Sequence, residues 1–306
     1  MKLGYYSYTT HLDHDVGDMH PEHPMRIISI NRKLEDIGIL QDAHIGGCNY
    51  IAEQDLLRAH NSGYINQLLL MTPENGSILA DPDTPMAVGS LGAAYQAAGC
   101  VVEALDDLLR NKLDRAFCAV RPPGHHAQKN KAMGFCFLNN VAIAAKKAQL
   151  EYGLERIAVI DFDVHQGNGT IDILANDPAF LVCSSFQHPS FPFTHWQNIY
   201  NNVINTPLSE GTNGLVMRRA IESDWLKQLQ DFKPQLTIVS AGFDAHADDP
   251  MADLEWKDSD YAWLGGFLSD INKEGSSNKL LAVLEGGYNL EALASASSEF
   301  IIAFKD

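Results

Sequence analysis

No stretch of about eighteen apolar residues occurs in the chain, so no segment reads as a membrane-spanning helix. Residues 1–15, MKLGYYSYTTHLDHD, lack the apolar core and small-residue cleavage site of a secretory signal. Cysteine is scarce and odd in number: Cys48, Cys100, Cys118, Cys136 and Cys183 include no C-x-x-C pair. They read as reduced thiols of a cytoplasmic protein, not as a disulfide framework. Basic residues are few as well, 22 Lys plus Arg against 39 Asp plus Glu, for a formal charge of −17. Such a field repels nucleic acid and favours the approach of cationic ligands. A surface of that sign also serves solubility alone, so the charge agrees with a cationic substrate without establishing one.

The 306 residues are 45% hydrophobic and 20% charged, a balance that suits a soluble globular protein with a large core. Short apolar runs rich in β-branched residues fall at Ala116–Val120, Ile157–Ile160, Phe180–Cys183, Leu236–Val239 and Leu280–Leu284. Runs of this length with little alternation predict parallel strands buried on both faces. Helix-period segments lie between them. Ile27, Ile30, Leu34 and Ile37 share one face, as do Met217, Ile221 and Trp225, and Tyr261, Leu264, Leu268 and Ile271. Strands alternating with helices predict an α/β fold with a doubly wound sheet. No repeat or long linker interrupts residues 1–306, which read as one domain.

The unusual residues cluster where these runs end. Ala116–Val120 leads into RPPGHH, Ile157–Ile160 into DFDVHQGNG, Leu236–Val239 into SAGFD, and Leu280–Leu284 into EGGYN. Ligands of open α/β sheets bind outside the carboxyl ends of the strands, so four such loops can converge on one crevice. Residues two apart in extended chain point the same way, so Asp163 and His165 can face one ion, and Asp244 can supply a third ligand. Three protein ligands describe a catalytic metal site with an open position. Two carboxylates and an imidazole favour Zn2+, with Fe2+ or Co2+ able to occupy the same set. The competing reading makes Asp163 a turn cap and His165 an ordinary loop histidine.

A hydrolase that uses metal-activated water needs a base for the water and an acid for the departing amine. The adjacent pair His125–His126 offers both, with Asp161 and Asn168 as plausible partners. A carboxylate partner stabilises an imidazolium, whereas an amide partner orients the ring without adding charge. Tyr288, beyond the flexible Gly286–Gly287 pair, can donate to a substrate carbonyl and to the oxyanion that replaces it.

RPPGHH, GFCFLNN, DFDVHQGNG, SAGFDAHADDP and LEGGYN, with HPEHPMR near the start, resemble in order the motifs of the histone deacetylase family. The stretches run from His20 to Asn289. The resemblance implies a single-domain arginase–deacetylase fold with a central eight-stranded parallel sheet and helices on both faces. It implies Asp163, His165 and Asp244 as zinc ligands, Tyr288 as carbonyl polariser, His126 as general base and acid, and His125 as an electrostatic partner paired with Asp161. Asn168 and the EGG triplet resemble the class II branch. The resemblance further implies Gly134, Phe135 and Phe191 as walls of an acyl-lysine tunnel, although the Ser185–Phe193 loop is shorter than in many relatives. It implies structural K+ bound near Asp161, Asp163, His165, Ser185 and Phe186, and Arg26 beneath the site on a path for acetate.

Relatives deacetylate lysine in proteins, acetylated polyamines or other small amides. Met251 stands where polyamine-selective relatives carry Glu, and Asp83 resembles a rim aspartate that grips a peptide backbone. Both favour acetyl-lysine in a peptide or protein, with an acetylated polyamine as the alternative. Asp248, Asp249, Asp253 and Glu255 are expected to crowd the rim, where they could attract a polyamine. An arginase-like dimanganese hydrolase would want further Asp and His ligands, and a non-catalytic binding protein would lack a ligand or Tyr288. The cluster His11, His14, His20 and His23 with Asp13, Asp15 and Asp18 reads as a polar rim loop, and His188, His195 and His246 are expected to flank the entrance.

Overall fold

Strands that carry apolar side chains on both faces must be covered on both faces, and the architecture follows from that requirement. The computed structural model of the protein describes residues 1–194, 196–274 and 279–305. In chain order the strands are β1 (Leu3–Tyr6), β2 (His44–Gly46), β3 (Ser77–Asp81), β4 (Thr84–Ala87), β5 (Arg115–Cys118), β6 (Ile157–Asp161), β7 (Phe180–Gln187), β8 (Val203–Leu208), β9 (Leu236–Ala241) and β10 (Leu280–Leu284). The helices are α1 (Met25–Asp36), α2 (Glu53–Leu56), α3 (Ser62–Met71), α4 (Ser90–Leu109), α5 (Asn140–Leu150), α6 (Asn168–Leu174), α7 (Gly214–Ile221), α8 (Lys227–Phe232), α9 (Asp258–Glu274) and α10 (Leu290–Lys305). Eight strands form one parallel sheet in the order β2-β1-β5-β10-β9-β6-β7-β8, and β3 pairs with β4 in a separate antiparallel hairpin.

Successive strand residues enter opposite layers of core. Ile157 and Val159 of β6 join the layer under α4 and α5, while Ala158 and Ile160 join the layer under α1, α9 and α10. The predicted helix faces are buried at Ile27, Ile30 and Leu34, at Met217, Ile221 and Trp225, and at Tyr261, Leu264, Leu268 and Ile271. Ile37 departs from its face and is 41% exposed, because α1 ends at Asp36 and the chain turns there.

The four strands that carry the unusual motifs, β5, β10, β9 and β6, are consecutive neighbours in the sheet. Parallel register puts all four carboxyl ends on the same side, which is why loops from distant parts of the sequence meet. β7 runs past its apolar start to Gln187, carrying Ser184 and Ser185 under the same loops.

The reading of five reduced thiols needs correction. Cys48 and Cys100 form a disulfide, while Cys118, Cys136 and Cys183 are free and buried. Residues 48–52 run along α4, and Ile51 N donates to Tyr95 O, so two cysteines far apart in sequence meet there. Cysteine usage therefore no longer argues for a reducing compartment. Among the described residues no helix is long and apolar enough to cross a membrane.

Candidate active site

The DFDVHQG segment leaves β6 as a chain of local backbone bonds that fixes its acids. Asp163 N donates to Asp161 Oδ1 at 3.1 Å, and His165 N donates to Asp163 Oδ1 at 2.9 Å. Asp244, beyond β9, accepts from Val164 N at 2.9 Å, and Asp163 accepts from Gly286 N at 2.8 Å. Three strand ends are thereby stitched together, with Asp163 bonded across to the turn after β10 as well as within its own turn.

His165 Nδ1 lies 3.2 Å from Asp163 Oδ1 and 3.3 Å from Asp244 Oδ2. One ligand atom from each residue lies within 4.8 Å of the others, and all three side chains are buried. Apart from the His165 imidazole at 3.3 Å, Asp244 Oδ2 has no polar partner, an under-satisfied acceptor of the kind a cation would satisfy. Gly286 is needed at this place because a Cβ there would come 2.1 Å from Asp244 Oδ2 and 2.6 Å from Asp163 Oδ2. The electrostatics agree with a cation-binding set. Burial opposes the charge on His165, yet the carboxylates of Asp163 and Asp244 raise its pKa to about 10. Burial also opposes both acids; the neighbouring imidazoles hold Asp163 well below the usual carboxylate range, while Asp244, facing Asp163, is pushed up. Two buried carboxylates and one imidazole fit a divalent ion.

The two adjacent histidines have different partners. His125 Nδ1 meets Asp161 Oδ2 at 3.0 Å, and His126 Nδ1 meets Asn168 Oδ1 at 2.7 Å. Their fates diverge accordingly. Burial disfavours the cation of His125, but Asp163 and Asp161 outweigh it and raise the pKa to about 10. Burial and the nearby His125 and His165 drive His126 well below the usual histidine range. His126 is thus neutral with Nδ1 occupied, which leaves Nε2 as its reactive nitrogen.

A cavity of about 280 Å³ opens over these groups. His125, His126, His165 and Tyr288 form its floor chemistry, and Gly134, Phe135, Phe191, Met251 and Asp83 line it as well. Phe191 packs edge-on to His126 with ring centres 5.0 Å apart, and Phe135 stands edge-on to Tyr288 at 6.0 Å. A larger, open depression of about 510 Å³ around Phe180 and Gln228, at the opposite end of the strands, contains no histidine or cysteine.

Several residues sit differently from expectation. Asp83 Oδ1 accepts from Gly134 N at 3.0 Å and from the Thr84 hydroxyl at 2.9 Å, so half of its carboxylate braces the tunnel wall. Asp249 is buried, and Asp253 accepts from Gln187 Nε2 at 3.2 Å, so the expected acidic rim is partly structural. The N-terminal histidines separate. His11 and His14 turn inward, His14 meeting Glu22 at 3.1 Å, while His20 packs on Phe135 with ring centres 4.7 Å apart. His188 stacks on Trp196, and His246 lies 3.4 Å from Asp258; neither lines the cavity, and His195 lies outside the described residues. Ser184 and Ser185, beside Asp161, have hydroxyls without hydrogen-bond partners.

Sequence reasoning missed two buried acids, put a third at the rim, and placed Arg26 beneath the site without its partners. Glu285 Oε2 accepts from Gly124 N at 2.6 Å and His125 N at 3.1 Å, holding the histidine turn. Glu22 takes a bidentate pair from Arg121, at 2.9 and 2.7 Å, and also meets Arg26 at 3.1 Å. The third acid is Asp249. Arg26 reaches the tyrosine turn, donating to Gly287 O at 2.6 Å and to Glu285 O, with its guanidinium carbon 4.9 Å from the Tyr288 ring centre. Glu285, directly after an apolar strand, was the visible signal: a carboxylate there must be buried and paired.

Residues 20–304 match the histone deacetylase domain. A histone deacetylase-like amidohydrolase of Pseudomonas aeruginosa is 32% identical over 88% of this chain and 73% of its own length. A probable deacetylase of Archaeoglobus fulgidus is 33% identical over 99% of this chain and 86% of its own. The crystal structure of the HDA15 HD domain superposes with a TM-score of 0.93 at 28% identity, covering 100% of this chain and 88% of that one.

Proposed function

The chain belongs to the histone deacetylase family and is an amide-cleaving hydrolase, and from that premise we propose that it removes acetyl from N-acetyl-lysine in a peptide or protein. The observation that carries the reading is that His165 of the Asp163–His165–Asp244 set, the differently partnered histidines and Tyr288 all line one cavity walled by Phe135 and Phe191. Two aromatic walls suit the alkyl chain of a lysine, and Met251 at the same cavity offers no charge to a second amine.

A Zn2+ ion held by Asp163, His165 and Asp244 would polarise the acetyl carbonyl and acidify a water; Fe2+ or Co2+ suit the same donors. His126, held neutral by burial, would accept a proton at Nε2 and pass it to the departing amine. Tyr288 stays protonated, because burial raises its pKa well above 10.0 despite Arg26, and it donates to the carbonyl oxygen. His125, paired through Nδ1 with the Asp161 carboxylate at 3.0 Å, stabilises the developing oxyanion. K+ near Asp161, Asp163, His165, Ser185 and Phe186 would answer the partnerless serine hydroxyl at Ser185. Arg26, whose guanidinium carbon is 4.9 Å from the Tyr288 ring centre, would line an exit for acetate. The catalytic unit is read as a single deacetylase domain over residues 1–306.

Asn168 holds His126 Nδ1 at 2.7 Å without adding charge, which gives a pH prediction. An anionic partner stabilises the imidazolium, so Asn168→Asp raises the pKa of the base. The acidic limb of kcat/KM then moves up by about one to two pH units. A profile that stays in place would remove Asn168 from this role.

The reading is tested by comparing kcat/KM for an acetyl-lysine peptide and for N-acetylputrescine on the zinc-loaded protein. We expect the peptide to be preferred by at least about tenfold, roughly 1.4 kcal/mol of differential transition-state binding. Preference for the polyamine would keep the chemistry and overturn the roles given to Met251 and Asp83.

A further inference from the structure

Tyr288 follows two glycines, Gly286 and Gly287, the second at φ +118. Such a turn has no intrinsic preference for one placement of the phenol, so something outside it must hold the backbone. Arg26 holds one side through Gly287 O. The other side is held by Asp249, whose side chain is buried and whose Oδ2 accepts from Tyr288 N at 2.6 Å and from Asn289 N at 3.0 Å. Its Oδ1 accepts from Met251 N at 3.1 Å. We propose that Asp249 is a positioning residue that ties the catalytic tyrosine to the tunnel-mouth Met251 through one carboxylate, so that both are set together.

Three N–H donors on two carboxylate oxygens make charge-assisted bonds, the strong kind in a buried setting. No other group can replace the arrangement. An asparagine has one acceptor oxygen, and its NH2 would face an N–H, so Asp249→Asn loses either the Tyr288–Asn289 pair or the Met251 bond. Asn289 adds a fastening of its own, its Nδ2 donating to Asp248 O at 2.9 Å. The acid thus acts on chemistry through Tyr288 and on substrate entry through Met251, standing outside both the cavity lining and the Asp163–His165–Asp244 cluster. The inference rests on the reading of Tyr288 as carbonyl polariser.

The test is a double-mutant cycle on the zinc-loaded protein with an acetyl-lysine peptide, joined to amide hydrogen exchange. Asp249→Asn should lower kcat by about 10–100-fold in the wild-type background, since a misplacement of the order of 1 Å carries that cost. In a Tyr288→Phe background it should cost less than about twofold, because the hydroxyl it positions is already gone. In the wild-type protein the Tyr288 and Asn289 amides should exchange at least about 100-fold more slowly than unprotected amides. This readout needs no variant, so it stands even if Asp249→Asn does not fold. Equal losses in the two backgrounds, or unprotected amides in the wild type, would overturn the proposal. Full kcat in Tyr288→Phe alone would instead overturn the tyrosine's role and the proposal with it.

Discussion

Tyr288→Phe is expected to lower kcat on an acetyl-lysine peptide by about 10²–10³-fold, the range for removing one donor to a developing oxyanion. The substitution is clean. The ring keeps its place over the Arg26 guanidinium and against Phe135, and the backbone bond to Asp249 is untouched. Only the hydroxyl is lost. The donor works in the transition state more than in the ground state, so KM should move little while kcat falls. Burial, with Asp244 and Asp163 behind it, keeps the phenol protonated against the opposing pull of Arg26. Its contribution should therefore persist across the whole neutral range. A loss below about fivefold would assign the polarising role elsewhere.

The second large effect is expected at Asp244. Asp244→Ala should reduce activity by at least about 10³-fold, because Lewis-acid and water-activating contributions amount to several kcal/mol. Asp244 does more than ligate: its Oδ1 holds Val164 N, so alanine also loosens the segment that carries Asp163 and His165. Asp244→Asn, which keeps an oxygen for Val164, separates the two contributions. It should fold like the wild type yet bind the ion weakly, because a neutral amide replaces one of two buried negative charges. The measurement is ion affinity by competition with a chelator, alongside activity. Wild-type affinity in Asp244→Asn would remove this residue from the ligand set.

How much of this was legible follows from the physics of each element. The strands β5, β6, β9 and β10 are short apolar runs that end in Gly-bearing polar turns, and a buried parallel strand leaves just that trace. The residues Asp163, His165, Asp244, His125, His126 and Tyr288 all lie in those turns, which bring the first three into one cluster and His125, His126, His165 and Tyr288 to one cavity. β1 and β2 were not seen: three of the four residues of LGYY are glycine or tyrosine, and HIG is three edge residues with two of them exposed. The hairpin β3–β4 escaped because β3 is mostly exposed and carries no alternation.

The acids beneath the site were hidden for a different reason. Glu22, Asp249 and Glu285 are defined by what they meet in space, and the spacing of Glu22 from Arg121, 99 residues away, leaves no local signature. Asp249 was mistaken for a rim charge because it stands between Asp248, which is exposed, and Pro250 in an acidic loop. The Cys48–Cys100 pair failed for the same cause, since sequence spacing cannot report that a loop lies along α4.

The most direct test of the central claim is a zinc titration of chelator-treated protein, with acetate release from an acetyl-lysine peptide measured at each step. The account predicts no release from the metal-free protein, a linear rise on adding ion, and a break at one ion per chain, with no recovery in Asp244→Ala. Release that persists without metal, or a break at two ions per chain, would contradict it.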